Sequence, residues 1–132
     1  MKIKNILLIA ATASAVILTG CASHVISTPT TSTSTTGNMI YETGSLKTVE
    51  QVSQERAHTA TLAALKDLQF GLVGDVTEAA QQRVSARTST DKKVLVVLEK
   101  ESESITAIRV TVGAFGDEAM SLQVMNKIKS HL

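Results

Sequence analysis

The stretch that decides the fold is residues 93–112, KVLVVLEKESESITAIRVTV. Five consecutive apolar residues at 94–98 predict a central strand that is covered on both faces. Residues 104–112 alternate in polarity and predict the next strand, whose side chains point to opposite faces of a sheet. The polar residues 101–103 between the two indicate a turn, so we expect an antiparallel pair.

The segments on either side of this pair complete one predicted domain over residues 39–132. Besides the strands at 93–100 and 104–112, we expect a strand at 39–49 with a bulge at Gly44, a helix at 52–69 with Ser53 as N-cap, strands at 70–76 and 81–88, and a helix at 118–130 with Asp117 as N-cap. This order, β-α-β-β-β-β-α, predicts an α+β two-layer sandwich. Its mostly antiparallel sheet has about five strands, and both helices lie on one face.

Apolar residues recur at helical spacing in both predicted helices and indicate their buried faces. The first helix presents Ala57, Ala60, Ala64, Leu65 and Leu68; the second presents Leu122, Met125, Ile128 and Leu132. On the strand at 70–76 we expect Phe70, Leu72 and Val76 to share one face. The chain has one Tyr, two Phe and no Trp, so the core is predicted to be aliphatic.

The N-terminus has the features of a bacterial lipoprotein signal. Lys2 and Lys4 precede an apolar run at 6–18, which is too short for the ~30 Å hydrocarbon core of a membrane. The run ends in Leu-Thr-Gly-Cys at 18–21, which looks like a lipobox. We therefore expect cleavage between Gly20 and Cys21 and lipidation of Cys21, the only cysteine. A transmembrane helix and an ordinary secretory signal are the alternatives, but the second leaves Cys21 without a purpose.

The residues that follow Cys21 bear on location. Ala22 follows directly, where an Asp retains enterobacterial lipoproteins in the inner membrane, so we expect an outer-membrane protein that faces the periplasm. Residues 21–38 are predicted to be the lipidated cysteine and a disordered tether, because ten of the 17 residues at 22–38 are Ser or Thr. The membrane is thus one expected partner, reached through the lipid.

Charge argues against nucleic acid as a partner. Lys2 and Lys4 belong to the predicted signal, which leaves 11 of the 13 Lys and Arg against 12 Asp and Glu. Nucleic-acid binding depends on concentrated positive charge, and on aromatic side chains where single strands are bound. This composition offers neither, so we expect no nucleic-acid partner.

Residues 113–117, Gly-Ala-Phe-Gly-Asp, form the most distinctive local motif. Glycines before a helix can expose backbone N–H groups to a phosphate. Here Asp117 and Glu118 occupy that helix end, and a carboxylate repels phosphate. We therefore interpret Gly113, Phe115, Gly116 and Asp117 as a self-capped structural turn and expect Phe115 to fill the core beneath it.

No constellation of residues predicts catalysis, a metal or a cofactor. His24, His58 and His131 are far apart and have no metal-ligand spacing. An enzyme would need a cleft that gathers His58 with Asp75 or Glu78. We therefore expect a protein that is not an enzyme.

One sheet face has a composition that differs from that of an ordinary solvent-exposed face. If Val84, Ile108 and Val110 face the helices, the other face carries Arg83, Arg87, Ile105 and Arg109, with either Leu95 and Val97 or the alternate set Val94, Val96 and Leu98. An open face that mixes arginine with aliphatic residues resembles an interface. Our candidate interaction face is Arg83, Arg87, Leu95, Val97, Ile105 and Arg109; the alternative is that arginine stems merely cover the aliphatic residues.

Three motifs resemble a family of short bacterial lipoproteins that is known only as a domain of unknown function. They are Tyr41-x-x-Gly44-x-Leu46, Ala60-Thr61-x-x-Ala64-Leu65-x-x-Leu68 and Arg109-Val110-x-Val112-Gly113-x-Phe115-Gly116-Asp117. The resemblance covers about residues 40–130 and implies no activity, substrate or catalytic residue.

Two functions are compatible with these observations. The leading hypothesis is a membrane-anchored envelope protein that acts as a structural or protein-interaction module. The second is a periplasmic protein that binds a small ligand or lipid. An enclosed apolar cavity between helices and sheet favours the second hypothesis, whereas a filled core and an exposed arginine-aliphatic face favour the first.

Overall fold

The computed structural model describes residues 34–36 and 38–132 and confirms the α+β class. In this part of the chain, one antiparallel sheet of seven strands carries two helices on one face. The elements are β1 (Ser34–Thr36), β2 (Met39–Glu42), β3 (Ser45–Glu50), α1 (Gln54–Asp67), β4 (Gly71–Thr77), β5 (Gln81–Arg87), β6 (Lys93–Ser102), β7 (Ile105–Val112) and α2 (Glu118–Lys129). The strand order is β1-β2-β3-β7-β6-β5-β4, so β7 lies at the centre.

The single strand predicted over residues 39–49 is wrong, because the chain reverses there. Thr43 and Gly44 have φ values of 52° and 76° and join β2 to β3, with Glu42 opposite Ser45. Two successive residues at positive φ form the turn whose twist suits a two-residue hairpin. Gly44 therefore marks a hairpin turn and not a bulge.

The predicted disordered tether also extends too far. Ser34–Thr36 pairs with Met39–Tyr41 as an edge strand, within the range assigned to the tether. An edge strand needs only backbone hydrogen bonds from its neighbour, and threonine suits extended backbone. Residues 21–33 and 37 of the predicted tether, and the signal, lie outside the described residues.

The β6–β7 pair forms as the sequence predicts and sets the faces of the sheet. Val96 lies opposite both Val84 on β5 and Val110 on β7, so the three side chains share the face beneath the helices. This face supplies most of the core: Met39, Tyr41, Leu46, Val84, Ala86, Val94, Val96, Leu98, Ile108, Val110 and Val112. A buried aliphatic side chain contributes about 1.5–3 kcal/mol, so this layer is the main source of stability.

The helices cover this face with small and branched side chains. Ser53 caps α1 by accepting a hydrogen bond from the Arg56 N–H group, and the predicted alanine stripe is buried. Asp117 caps α2 in the same way through Met120. The predicted stripe of α2 is only partly correct: Ser121 and Val124 are fully buried, whereas Leu122 and Leu132 are partly exposed. Small Ser121 allows α2 to approach its neighbours more closely than a leucine there would.

A bulge in β4 changes which of its residues share a face. The register shifts between Leu72 and Gly74, so Leu72 lies opposite Ala86 on the helix face, whereas Val76 lies opposite Arg83 on the open face. The expectation that Phe70, Leu72 and Val76 share one face is therefore wrong, because the extra residue Val73 inverts the alternation.

Neither described helix has the length and hydropathy required to span a membrane.

Candidate interaction face

The sheet face opposite the helices is not covered by any other element of the described chain. The register aligns one residue from each of six strands across it. In spatial order this central row is Ile40, Lys47, Arg109, Val97, Arg83 and Val76. Cationic and aliphatic side chains therefore share this row, with a cation on either side of Val97.

A chain of polar contacts holds the two arginines of the central row. Both Nε and Nη2 of Arg83 donate to Gln81 Oε1, at 3.1 and 2.8 Å, and Gln81 Nε2 donates to Glu99 Oε1 at 3.0 Å. The same Glu99 oxygen lies 3.4 Å from Arg109 Nη2. Both guanidinium groups are thus anchored from one side, which reduces the entropy that they would lose on binding.

The aliphatic residues of this face differ in exposure. Val97 is only 6% exposed between the two arginines, as expected where guanidinium stems cover a small side chain. Away from the centre, Ile40, Val49 and Val76 are 45%, 58% and 54% exposed. Val97 in the middle of the face is therefore almost inaccessible, whereas the flanks of the face are apolar and accessible.

The open face is more positive than the rest of the domain. Its strands carry Lys47, Arg83, Arg87, Lys93 and Arg109 against Glu42, Glu99 and Glu101. Lys47 and Arg109 line two shallow depressions of about 310 and 210 Å³. A face of this kind suits a partner with acidic and apolar groups.

The structure brings together only part of the predicted set. Arg83, Val97 and Arg109 are cross-strand neighbours, and Leu95, not the alternate set Val94, Val96 and Leu98, shares their face. Ile105 is four residues from Arg109, about 13 Å along the strand. Arg87 pairs instead with Asp91 in the next turn, at 2.9 Å.

Sequence reasoning missed four residues of the face: Ile40, Lys47, Val49 and Val76. The first three lie on the hairpin that was predicted as one strand, and Val76 follows the bulge. Thr43-Gly44 between two alternating segments was the available signal for the hairpin.

The turn at 113–117 contains the predicted helix cap, but its phenylalanine does not fill the core beneath it. Phe115 is 97% exposed, so its assignment to the core is wrong. Gly113 and Gly116, at φ 76° and 88°, turn the backbone over Gly44. A Cβ atom on Gly116 would lie 2.3 Å from Gly44 Cα and 2.5 Å from the Tyr41 hydroxyl. Gly44 and Tyr41 therefore already fill the space beneath the turn, and Phe115 points outward.

Two acid–base groups at this turn have shifted pKa values. The pKa of Asp117 lies below its ordinary value because the Met120 N–H group and the Lys92 ammonium donate hydrogen bonds to the carboxylate. The pKa of Tyr41 is raised, mainly by burial and further by the negative charges of Glu118 and Asp117. Both shifts stabilise the arrangement of an ionised cap beside a neutral phenol.

Two of the three residues named for a possible catalytic cleft come together. His58 Nε2 lies 2.7 Å from Asp75 Oδ2 across the α1–β4 junction, whereas Glu78 lies in the turn after β4. Asp67 makes a similar pair with His131. Within residues 34–36 and 38–132, no three His, Cys, Asp or Glu side chains form a cluster that could hold a metal ion. Both pairs tie one structural element to another.

The lipidation and cleavage residues, Cys21 and Gly20, and the linker residue His24 lie outside the described residues.

The described part of the protein is a small α+β domain with both helices on one face of the sheet and the opposite face open. The chain belongs to a protein family described as a protein of unknown function, DUF3568, whose model matches residues 2–131. This match confirms the expected domain of unknown function. No curated protein matches the sequence.

Proposed function

We propose that this protein is a lipid-anchored component of the bacterial cell envelope that binds a protein partner through its open sheet face and catalyses no reaction. The observation that carries the proposal is the central row, where Arg83 and Arg109 are held in place between accessible aliphatic residues.

The composition and order of this face support binding. Arginine and exposed aliphatic side chains together are typical of interfaces, in which the apolar area supplies affinity and the charges supply specificity. A guanidinium that is already anchored loses little freedom when a carboxylate of the partner approaches it. The partner is either another envelope protein or a second copy of this chain.

The lipobox supports the cellular location. Cys21 after Leu18-Thr19-Gly20 would carry the lipid, and Ala22 favours delivery to the outer membrane, with the domain in the periplasm. Covalent lipid holds a protein through ~0.8 kcal/mol per buried methylene, and two or more chains anchor it stably.

Binding of a small ligand or lipid is the second candidate. A groove of about 510 Å³ between α1 and β4, lined by Leu62, Leu65, Phe70 and Leu72 among others, offers an apolar surface. The groove lies at the surface, while the space between helices and sheet is filled by the buried core. This arrangement favours the interaction module over a ligand carrier.

A pair of double variants tests the interaction face. Val49→Asp with Arg83→Glu changes two exposed side chains of the open face. The matched control, Leu72→Asp with Arg56→Glu, makes the same kinds of change on the other side of the sheet. Each lipidated protein is crosslinked in its native membrane, and the masses of the crosslinked species are compared.

We expect the wild type and the control to form the same crosslinked species, heavier than the monomer, and the open-face variant to lose it. Its mass distinguishes a homodimer from a complex with another protein. The proposal fails if the open-face variant retains the species, if the control loses it, or if the wild type forms none.

A further inference from the structure

The most exposed large apolar side chain in the described chain is Phe115, at 97%. It lies in the turn between β7 and α2, at one end of the sheet, and is not part of the open face. A phenyl ring held almost entirely in water carries an energetic cost that a surface turn could avoid with a polar residue.

The backbone holds this side chain firmly in its outward position. Gly113 donates a hydrogen bond to the Lys93 carbonyl at 2.8 Å, and Gly116 packs against Gly44. Asp117, which follows, caps α2 and forms an ion pair with Lys92 at 3.0 Å. Phe115 is therefore presented on a turn that is fixed at both ends.

The N-terminal segment joins the domain beside this turn. Ser34, the first residue of β1, pairs with Tyr41, and the Tyr41 hydroxyl lies next to Gly116. Ser34 is thirteen positions after Cys21 in the chain. A chain of this length spans at most about 45 Å when fully extended. A lipid on Cys21 would thus keep this end of the domain closest to the membrane.

We propose that the turn at 113–117 is the domain's own membrane contact, with Phe115 inserted between the lipid headgroups. The inference rests on the lipid anchor in the proposed function. Phe115 supplies an apolar side chain at the depth where amphipathic surfaces insert. Lys92 neutralises the Asp117 carboxylate, and Lys93, whose carbonyl accepts the Gly113 N–H group, supplies the positive charge for a headgroup phosphate. In this orientation the strands run away from the membrane surface, and the open face remains accessible to a protein beside the domain.

A single tryptophan can report this contact, because the chain contains none. In the full-length lipidated protein, Phe115→Trp places the reporter at the turn. Ser104→Trp, at an exposed position between β6 and β7 at the opposite end of the sheet, is the control. Both proteins are reconstituted in vesicles of phosphatidylethanolamine and phosphatidylglycerol, with and without lipids brominated near the headgroup. Mass spectrometry first measures the lipid on Cys21.

We expect the tryptophan emission of the Phe115→Trp protein to shift to the blue in vesicles and to be quenched by the brominated lipid, while the Ser104→Trp protein shows neither change. If Cys21 carries lipid but the reporter at the turn stays unquenched, the membrane contact is wrong and the anchor stands. Protection of this reporter from a water-soluble quencher, without bromine quenching, assigns the turn to a protein contact and also overturns the inference. If Cys21 carries no lipid, the anchor and this inference fail together.

Discussion

Gly44 and Gly116 meet at a distance that leaves no room for a Cβ atom on either residue. They are 72 positions apart in the chain, so no local pattern reveals that they touch. The caps Ser53 and Asp117 were predictable, because a cap depends on residues three positions away. The outward Phe115 was not, because its direction depends on the contact between the two glycines.

Gly116→Ala is expected to destabilise the domain. The left-handed conformation alone costs a non-glycine residue roughly 1–3 kcal/mol, and the contact with Gly44 adds to this cost. Urea unfolding followed by circular dichroism measures the change. Gly74→Ala is the control: a Cβ there meets nothing within 4 Å, so stability should change by less than about 1 kcal/mol. Equal effects of the two substitutions would contradict the role of Gly116.

Tyr41 gives a pH-dependent prediction. Burial raises its pKa above the ordinary value of 10.0, and the chain has only this tyrosine. The unfolded chain therefore releases the phenol proton first, and stability falls as the pH rises above 10. Ultraviolet titration should give a midpoint above 10 in the folded protein, and Tyr41→Phe should remove the signal. A midpoint at or below 10 would show that the phenol is not buried.

At the scale of elements, predictability followed local pattern. The apolar run at 94–98 and the alternation after it were enough for β6 and β7. The hairpin at Thr43-Gly44 and the bulge at Val73 were missed. The hairpin reverses the chain with only two residues, and the bulge adds only one residue to a strand, so neither interrupts the surrounding polarity pattern. One residue of shift exchanges the two faces of a strand, so these small errors removed four residues from the predicted face.

The alanine stripe of α1 predicts how closely the helix approaches the sheet. Ala60 is 2% exposed in the core, so Ala60→Leu should cost about 1–3 kcal/mol through overpacking. Ala63 is partly exposed on the same helix, and Ala63→Leu should change stability by less than about 0.5 kcal/mol. Thermal unfolding of both variants measures this difference. If both leucines are tolerated equally, the helix does not approach the sheet as closely as described.

For the whole molecule, the sequence was sufficient for the fold class but only for part of the candidate site. The two helices and the four strands between them follow from local periodicity. Which side chains meet across the open face depends on register between strands that are distant in the chain, such as Lys47 opposite Arg109. The family assignment, a protein of unknown function, adds no site residue.

The anchor gives a prediction at this scale. A Cys21→Ser variant should lose its lipid, because no other residue can form the thioether. Its circular dichroism spectrum and urea midpoint should match those of the wild-type domain, since Cys21 precedes the described residues. Mass spectrometry of the mature protein measures the lipid. Wild-type protein without lipid on Cys21 would contradict the anchor.

The most direct test of the central claim, that the open face binds a protein, is photo-crosslinking in the native membrane. A photoreactive residue replaces Arg83 on the open face or Arg56 on α1, both at exposed positions. We expect one discrete protein adduct from position 83 and none from position 56. An adduct from position 56 alone, or the same adduct from both positions, would contradict the claim.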